Sequence, residues 1–261
     1  MIEVGIMSDI HSHIQMPKGV LKQFVNEKQT LYYYDFASSQ VKKGHPASLN
    51  TELNYYSKQT EDYLNKNIET PISNVIKFVK DNIISLDAFA LPNKYYEIIK
   101  NYFYALLSRG ENMIANTNDS SVYFQFFSLQ DKHDITVTYG IELAKEKNIL
   151  GDYFITFMVN KSKVPFILPM VGVYGFSFNG ETVINMPITP TCTITFIHNS
   201  VKQQYVKEGI VKCFVIEDDT IANKLNLFAF HGESENNRRG VVANNRKMLE
   251  DVMQNYSKFL K

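Results

Sequence analysis

Neither sign of charge is in excess in this chain: 27 Lys and Arg meet 27 Asp and Glu over 261 residues, for a formal net charge of zero. A global basic surplus, the simplest sign of a nucleic-acid binder, is therefore missing, and only a local basic patch could serve. Cysteine is scarce as well. Cys192 and Cys213 stand alone, with no CxxC and no metal spacing, which fits reduced thiols in a cytoplasmic protein better than a single disulfide. No apolar run reaches about 18 residues, and the stretch 164–173 is interrupted by Pro165 and Pro169, so no membrane helix is expected. Glu3, Asp9, His11 and His13 near the start do not read as a secretory signal.

What remains is an ordinary globular composition, 44% hydrophobic and 21% charged, long enough for a sizeable core. The pattern predicts one α+β domain over 1–261, with a helical subregion over 48–148, an antiparallel sheet over 151–198 and C-terminal helices over 199–261. Residues 2–7 alternate like a short strand or extended arm, Pro17 sits in a first helical turn, and 31–34 is β-prone, followed by a loop over 35–46. Ile68, Ile72, Val75, Ile76 and Val79 repeat at the spacing of one helix face, with Pro71 in the first turn. Tyr95, Ile98, Ile99, Tyr102, Phe103, Leu106 and Leu107 form a wider face, opened by Pro92-Asn93 and closed near Gly110. A turn over 119–121, a short strand or helical piece over 122–128 and a helix over 135–147 follow. Beyond Gly151 the period changes to β-branched and aromatic runs over 153–159, 164–168, 171–178, 182–185 and 191–198. Asn179-Gly180 is a two-residue hairpin signal, because both positions favour positive φ. Helices are expected again over 199–207, 219–229 and 246–260. Helices, a meander and helices again make an α+β order, with the sheet covered by helices from the N-terminal half and the C-terminus.

The chemistry-bearing residues gather near the start. A strand ending in Ser8-Asp9-Ile10-His11 is similar to the opening of calcineurin-like metallophosphoesterases, but the Gly-Asn-His and Gly-His-x-His elements that complete a dinuclear centre are missing. Asp9-Ile10-His11-Ser12-His13 also resembles the start of polymerase-and-histidinol-phosphatase metal sites, since residues i and i+2 of a strand share a side. The αβ alternation and further ligands of that family are missing too, so no metal or other cofactor is expected.

A third resemblance covers most of the chain. His13, Pro17, Leu21 and Phe24, then Tyr34-Asp35, Tyr55-Tyr56-Ser57 and Ile68-Glu69, followed by Pro165-Phe166-Ile167, Pro187-Ile188-Thr189-Pro190 and Asn223/Asn226, resemble in order the motifs of the bacterial domain of unknown function 4238 family. Where that family commonly carries Ser-Asp-Asn-Pro, this chain has Leu168-Pro169-Met170-Val171. The resemblance implies a fold rather than an activity.

His13 and Glu69 are the candidate catalytic pair: a carboxylate that fixes an imidazole could form an acid–base couple. The alternative is that Glu69 sits near a helix N-terminus and merely favours the dipole. Arg238, Arg239 and Arg246, with Lys247, form a candidate phosphate-binding rim, and Asn244-Asn245 could cap the last helix beside it. The alternative for 231–240, the most polar stretch, is a solvated loop. Tyr32–Tyr34, Tyr55-Tyr56 and Tyr95-Tyr96 read as core or as stacking surfaces for bases. Two functions follow. One is a sensing or binding subunit of a bacterial or phage defence or mobile-element system. The other is a metal-independent nuclease-like effector acting on phosphodiesters. A protein partner, self-association or nucleic acid would fit as partners, and a membrane would not.

Overall fold

A computed structural model describes residues 11–83, 87–110, 127–178, 180–236 and 239–259. In chain order the strands and helices are β1 (His11–His13), α1 (Lys18–Leu21), β2 (Leu31–Asp35), β3 (Gln40–Gly44), β4 (Thr51–Leu53), α2 (Lys58–Leu64), α3 (Thr70–Asn82), β5 (Ala88–Phe89), α4 (Asn93–Ser108) and α5 (Leu129–Glu146). The second half adds β6 (Tyr153–Asn160), β7 (Leu168–Pro169), β8 (Tyr174–Phe178), β9 (Glu181–Thr189), β10 (Cys192–His198), α6 (Lys202–Tyr205), β11 (Val206–Lys207), β12 (Ile210–Lys212), β13 (Phe214–Ile216), α7 (Asp219–Asn236), β14 (Val241–Ala243) and α8 (Arg246–Phe259). The class is α+β.

The expected meander is the centre of a five-stranded sheet ordered β13-β6-β10-β9-β8. Strands β6, β10, β9 and β8 pair antiparallel, while β13 adds parallel to β6 at one edge, so the sheet is mixed rather than wholly antiparallel. The hairpin at 179–180 has Phe178 opposite Glu181 and Gly180 at φ +83°, the left-handed region the turn demands. Pro187 does not end β9. The strand runs on to Thr189, and the register slips at Cys192/Thr193, where a bulge absorbs the irregularity.

A second, antiparallel sheet was not legible. Its order is β3-β2-β14-β7, so residues from near both ends of the described chain pair directly, Val242 against Tyr33. The loop expected over 35–46 is instead the β2–β3 hairpin, and a strand over 164–168 reduces to Leu168–Pro169. The helix expected over 199–207 breaks into a 3-10 turn, the four-residue α6 and a small sheet ordered β11-β12-β5. There Val206 and Val211 pair across a turn with Glu208 and Gly209 at positive φ. The readings over 2–7, 119–121 and most of 122–128 lie outside the described residues.

The amphipathic patterns of the first half bury as their periods require. Ile68, Ile72, Val75, Ile76 and Val79 all join the main core, as do Ile99, Tyr102, Phe103 and Leu106 of α4. Phe103 meets Phe196 of β10 with ring centroids 5.0 Å apart, which fastens the helical layer to the five-stranded sheet. Helices α4 and α5 approach closely at Gly140, where a Cβ would lie 2.6 Å from Ser108 Oγ. Helix α5 starts earlier than its apolar pattern suggests, because Ser128 and Asp131 form a reciprocal capping box. A second core, with Tyr34, Ile167, Phe230, Val241 and Leu249, lies between the four-stranded sheet and helices α7 and α8.

Candidate functional site

Helices α2 and α3 are one continuous rod interrupted by a π-helical turn, Asn65–Glu69, in which the Thr70 N–H reaches back to the Asn65 carbonyl. Eight residues of regular α-helix would leave Glu69 about 80° round the axis from Glu61; the extra residue in the turn cuts that to about 20°. Both carboxylates then act on one cation, Arg109, at the end of α4. Glu69 therefore lies in mid-helix, not at a helix N-terminus.

Arg109 is 1% exposed. Its Nη2 donates to Glu69 Oε1 at 2.8 Å and its Nη1 to the Gln15 carbonyl at 3.1 Å. Gln15 returns a bond from Nε2 to the Arg109 carbonyl, so the guanidinium is locked to the segment that follows β1. Burial alone would lower the Arg109 pKa, but Glu69, Tyr56 and Glu61 together hold it above its usual value. His13, half-buried on β1, is in the same field. Burial, with Arg109 and Lys18, pushes its pKa below the ordinary value, against the opposing pull of Glu69 and a backbone hydrogen bond at Leu49. Burial also raises the Glu61 carboxyl, and the Ser12 hydroxyl and Arg109 oppose that rise. His13 and Glu69, named from the sequence, are thus neighbours in one electrostatic cluster. The residue that organises them, Arg109, was missed; a lone arginine before a glycine at a helix end carries no pattern.

The cluster is sealed in part: its Arg109 end is buried, while the Glu69 side chain stays 23% exposed. His13 Nδ1 and Arg109 Nε have no hydrogen-bond partner and no contact with solvent. Tyr55 and Tyr56 are core, Tyr55 stacking on the buried His133 at 3.7 Å between centroids. The side chain of His11 and the whole of Asp9 lie outside what the structure describes. Among the described residues, no three His, Cys, Asp or Glu side chains gather as a metal-holding group.

Within the polar stretch over 231–240, residues 231–236 are helix rather than solvated loop, and residues 237–238 lie outside the described residues. Helix α7 continues through Asn236, and Glu233 is fully buried, accepting from the backbone N–H groups of Val171 (2.8 Å), Arg239 (2.9 Å) and Gly240 (3.1 Å). Three arginines were expected to form one rim. Arg238 lies outside the described residues, while Arg239 donates to Asn50 Oδ1 at 3.3 Å, next to Thr51, the strand partner of His13. Arg246 is exposed on α8 and pairs with Glu250 of the same helix at 2.8 Å. Arg239 and Arg246 thus serve different neighbourhoods.

Open space lies on the Arg246 side. A groove of about 960 Å³ runs between the Val25–Lys28 segment, Tyr32 of β2, Lys163–Pro165, Asn223 of α7 and the first turns of α8. Lys28, Lys163 and Lys247 line it against Glu27 and Asp251. A smaller recess of about 490 Å³ adjoins it and adds Arg246 and Glu250. Its walls are tied down. Asn26 Oδ1 accepts from the Lys28 and Thr30 N–H groups and the Thr30 hydroxyl, holding Gln29 at φ 57°. Asp219 accepts from the Lys163 N–H at 2.8 Å, and buried Asn226 clamps the next segment, donating to the Pro165 carbonyl and accepting from the Ile167 N–H. Asn245 caps α8, as expected, by accepting from the Lys247 N–H at 2.9 Å. No helix of the described residues is long and apolar enough to cross a membrane. No protein-family model matches the chain, and neither a curated protein nor a solved structure matches it, so the likeness to the domain of unknown function 4238 family rests on its motifs.

Proposed function

We propose that the protein is a binding or sensing protein that takes a small polar ligand in the groove at the start of α8. The observation that carries this reading is the coincidence, along one open groove, of three lysines, several asparagine amides and a wall fixed by hydrogen bonds. The cluster around Arg109 uses its charge internally: Glu69 already holds the guanidinium, and Arg109 Nε and His13 Nδ1 are buried.

The test is thermal denaturation of wild type and Lys163→Ala/Lys247→Ala against a panel of nucleotides, sugar phosphates, dicarboxylates and neutral sugars. At least one compound should raise the wild-type midpoint and leave the double variant unmoved. A panel that moves nothing, or a shift that survives in the double variant, goes against the reading. The acid–base alternative keeps one observation in its favour, the convergence of His13 and Glu69 beside Arg109. Cleavage of an RNA or DNA phosphodiester that His13→Ala abolishes without unfolding the protein would establish it instead.

A further inference from the structure

Helix α8 begins with Arg246 and Lys247 and has no acidic residue in its first turn. That places two cations at the positive end of a 14-residue helix, where a negative group is the favourable one. Arg246 is answered by Glu250 one turn on. Lys247 has no such answer among the described ion pairs, and it faces the groove along with Lys28 and Lys163, which come from two other segments. Three cations from three parts of the chain, a cation-bearing helix start and only Glu27 and Asp251 in opposition favour an anion over a cation as occupant. A helix N-terminus favours phosphate through its dipole, although at α8 Asn245 already takes the Lys247 N–H.

A phosphate alone would use little of this space. The groove's roughly 960 Å³ suits a molecule of nucleotide size. Tyr32 lines both the groove and its adjoining recess, offering an aromatic side chain at the same mouth, and its hydroxyl lies within the field of Arg246. Asn223, Asn244 and Asn255 add amides that donate and accept together, the pattern that matches the edge of a base. Building on the binding reading above, we infer that the ligand is a nucleoside phosphate, its phosphate among Lys28, Lys163, Lys247 and the start of α8 and its base against Tyr32.

The test is isothermal titration of the full chain with adenosine 5′-monophosphate, ribose 5-phosphate, adenosine and a 5′-phosphorylated tetranucleotide. The monophosphate should bind more tightly than either half-ligand, with affinity falling as salt rises. Tyr32→Leu should weaken it about tenfold and leave ribose 5-phosphate within twofold, because stacking on an aromatic ring is lost but the phosphate site is kept. Lys247→Ala should weaken both. Lys163→Ala, on a different segment, checks that the loss is not a local defect of α8. A tetranucleotide that binds better than the monophosphate would mark a strand terminus, with the same phosphate and base chemistry, as the source. Adenosine 5′-monophosphate no tighter than ribose 5-phosphate overturns the base assignment. If no phosphate binds while a neutral compound of the panel does, the ligand class is wrong and the groove reading survives. If nothing binds, both fail.

Discussion

Replacing Glu233 with alanine should be among the most damaging single changes available in this protein. Its carboxylate accepts three backbone N–H groups, from Val171, Arg239 and Gly240, and joins α7 to the ends of β7 and β14. The residue is 0% exposed, so water cannot take over those bonds in the folded chain. Each donor left unsatisfied costs about 1–3 kcal/mol, and allowing for partial relaxation the total should be about 3–5 kcal/mol. For a domain of this size that lowers the thermal midpoint by roughly 10 °C. Urea denaturation followed by far-UV circular dichroism measures it, with Glu233→Gln retaining part of the stability because it keeps one acceptor oxygen. An alanine variant within about 1 kcal/mol of wild type would refute the view that this carboxylate ties α7 to Val171, Arg239 and Gly240.

Three further outcomes follow from the same physics. Arg109→Met should cost about 3–5 kcal/mol, since it strands the Glu69 carboxylate and the Gln15 carbonyl, whereas Arg109→Met with Glu69→Leu should cost clearly less than the two singles together; a double-mutant cycle in urea gives the coupling. Burial holds the His13 and His133 pKa values below 6.5, so the unfolded chain binds protons first and stability should fall as pH drops through 6.5 and on toward the folded values. Midpoints measured from pH 7.5 to 5.5 should show that loss diminished in His13→Asn; an unchanged slope would remove His13 from the explanation. Gly140→Val should destabilise by about 1–3 kcal/mol, because its side chain has no room against Ser108 where α4 and α5 touch.

How much was readable divides along local and non-local lines. The helices around Val75 and Tyr102 and the Phe178–Glu181 hairpin were legible because their periods and turn residues are written within a dozen positions. The sheet joining Tyr33 to Val242 was not, as three-residue β14 has too little pattern to announce a partner some 200 residues away. The break after His198 was hidden because the helix formed over Lys202–Tyr205 is cut short by pairing of Val206 with Val211 and of Val211 with Phe89. At the site, residue type pointed to His13 and Glu69, and folding does bring them near each other. The burial of Arg109 and Glu233 could not be read, since charged residues default to the surface unless a partner from elsewhere receives them. Nor could the groove, whose lysines come from segments more than 80 positions apart.

The most direct test of where this protein binds its ligand is chemical-shift mapping of the ¹⁵N-labelled chain with adenosine 5′-monophosphate. Binding in the groove gives saturable shifts at the Asn26–Lys28 turn, Tyr32, Lys163 and the first turn of α8. Shifts centred instead on His13, Gln15 and Glu69 would contradict it and return the function to the cluster around Arg109.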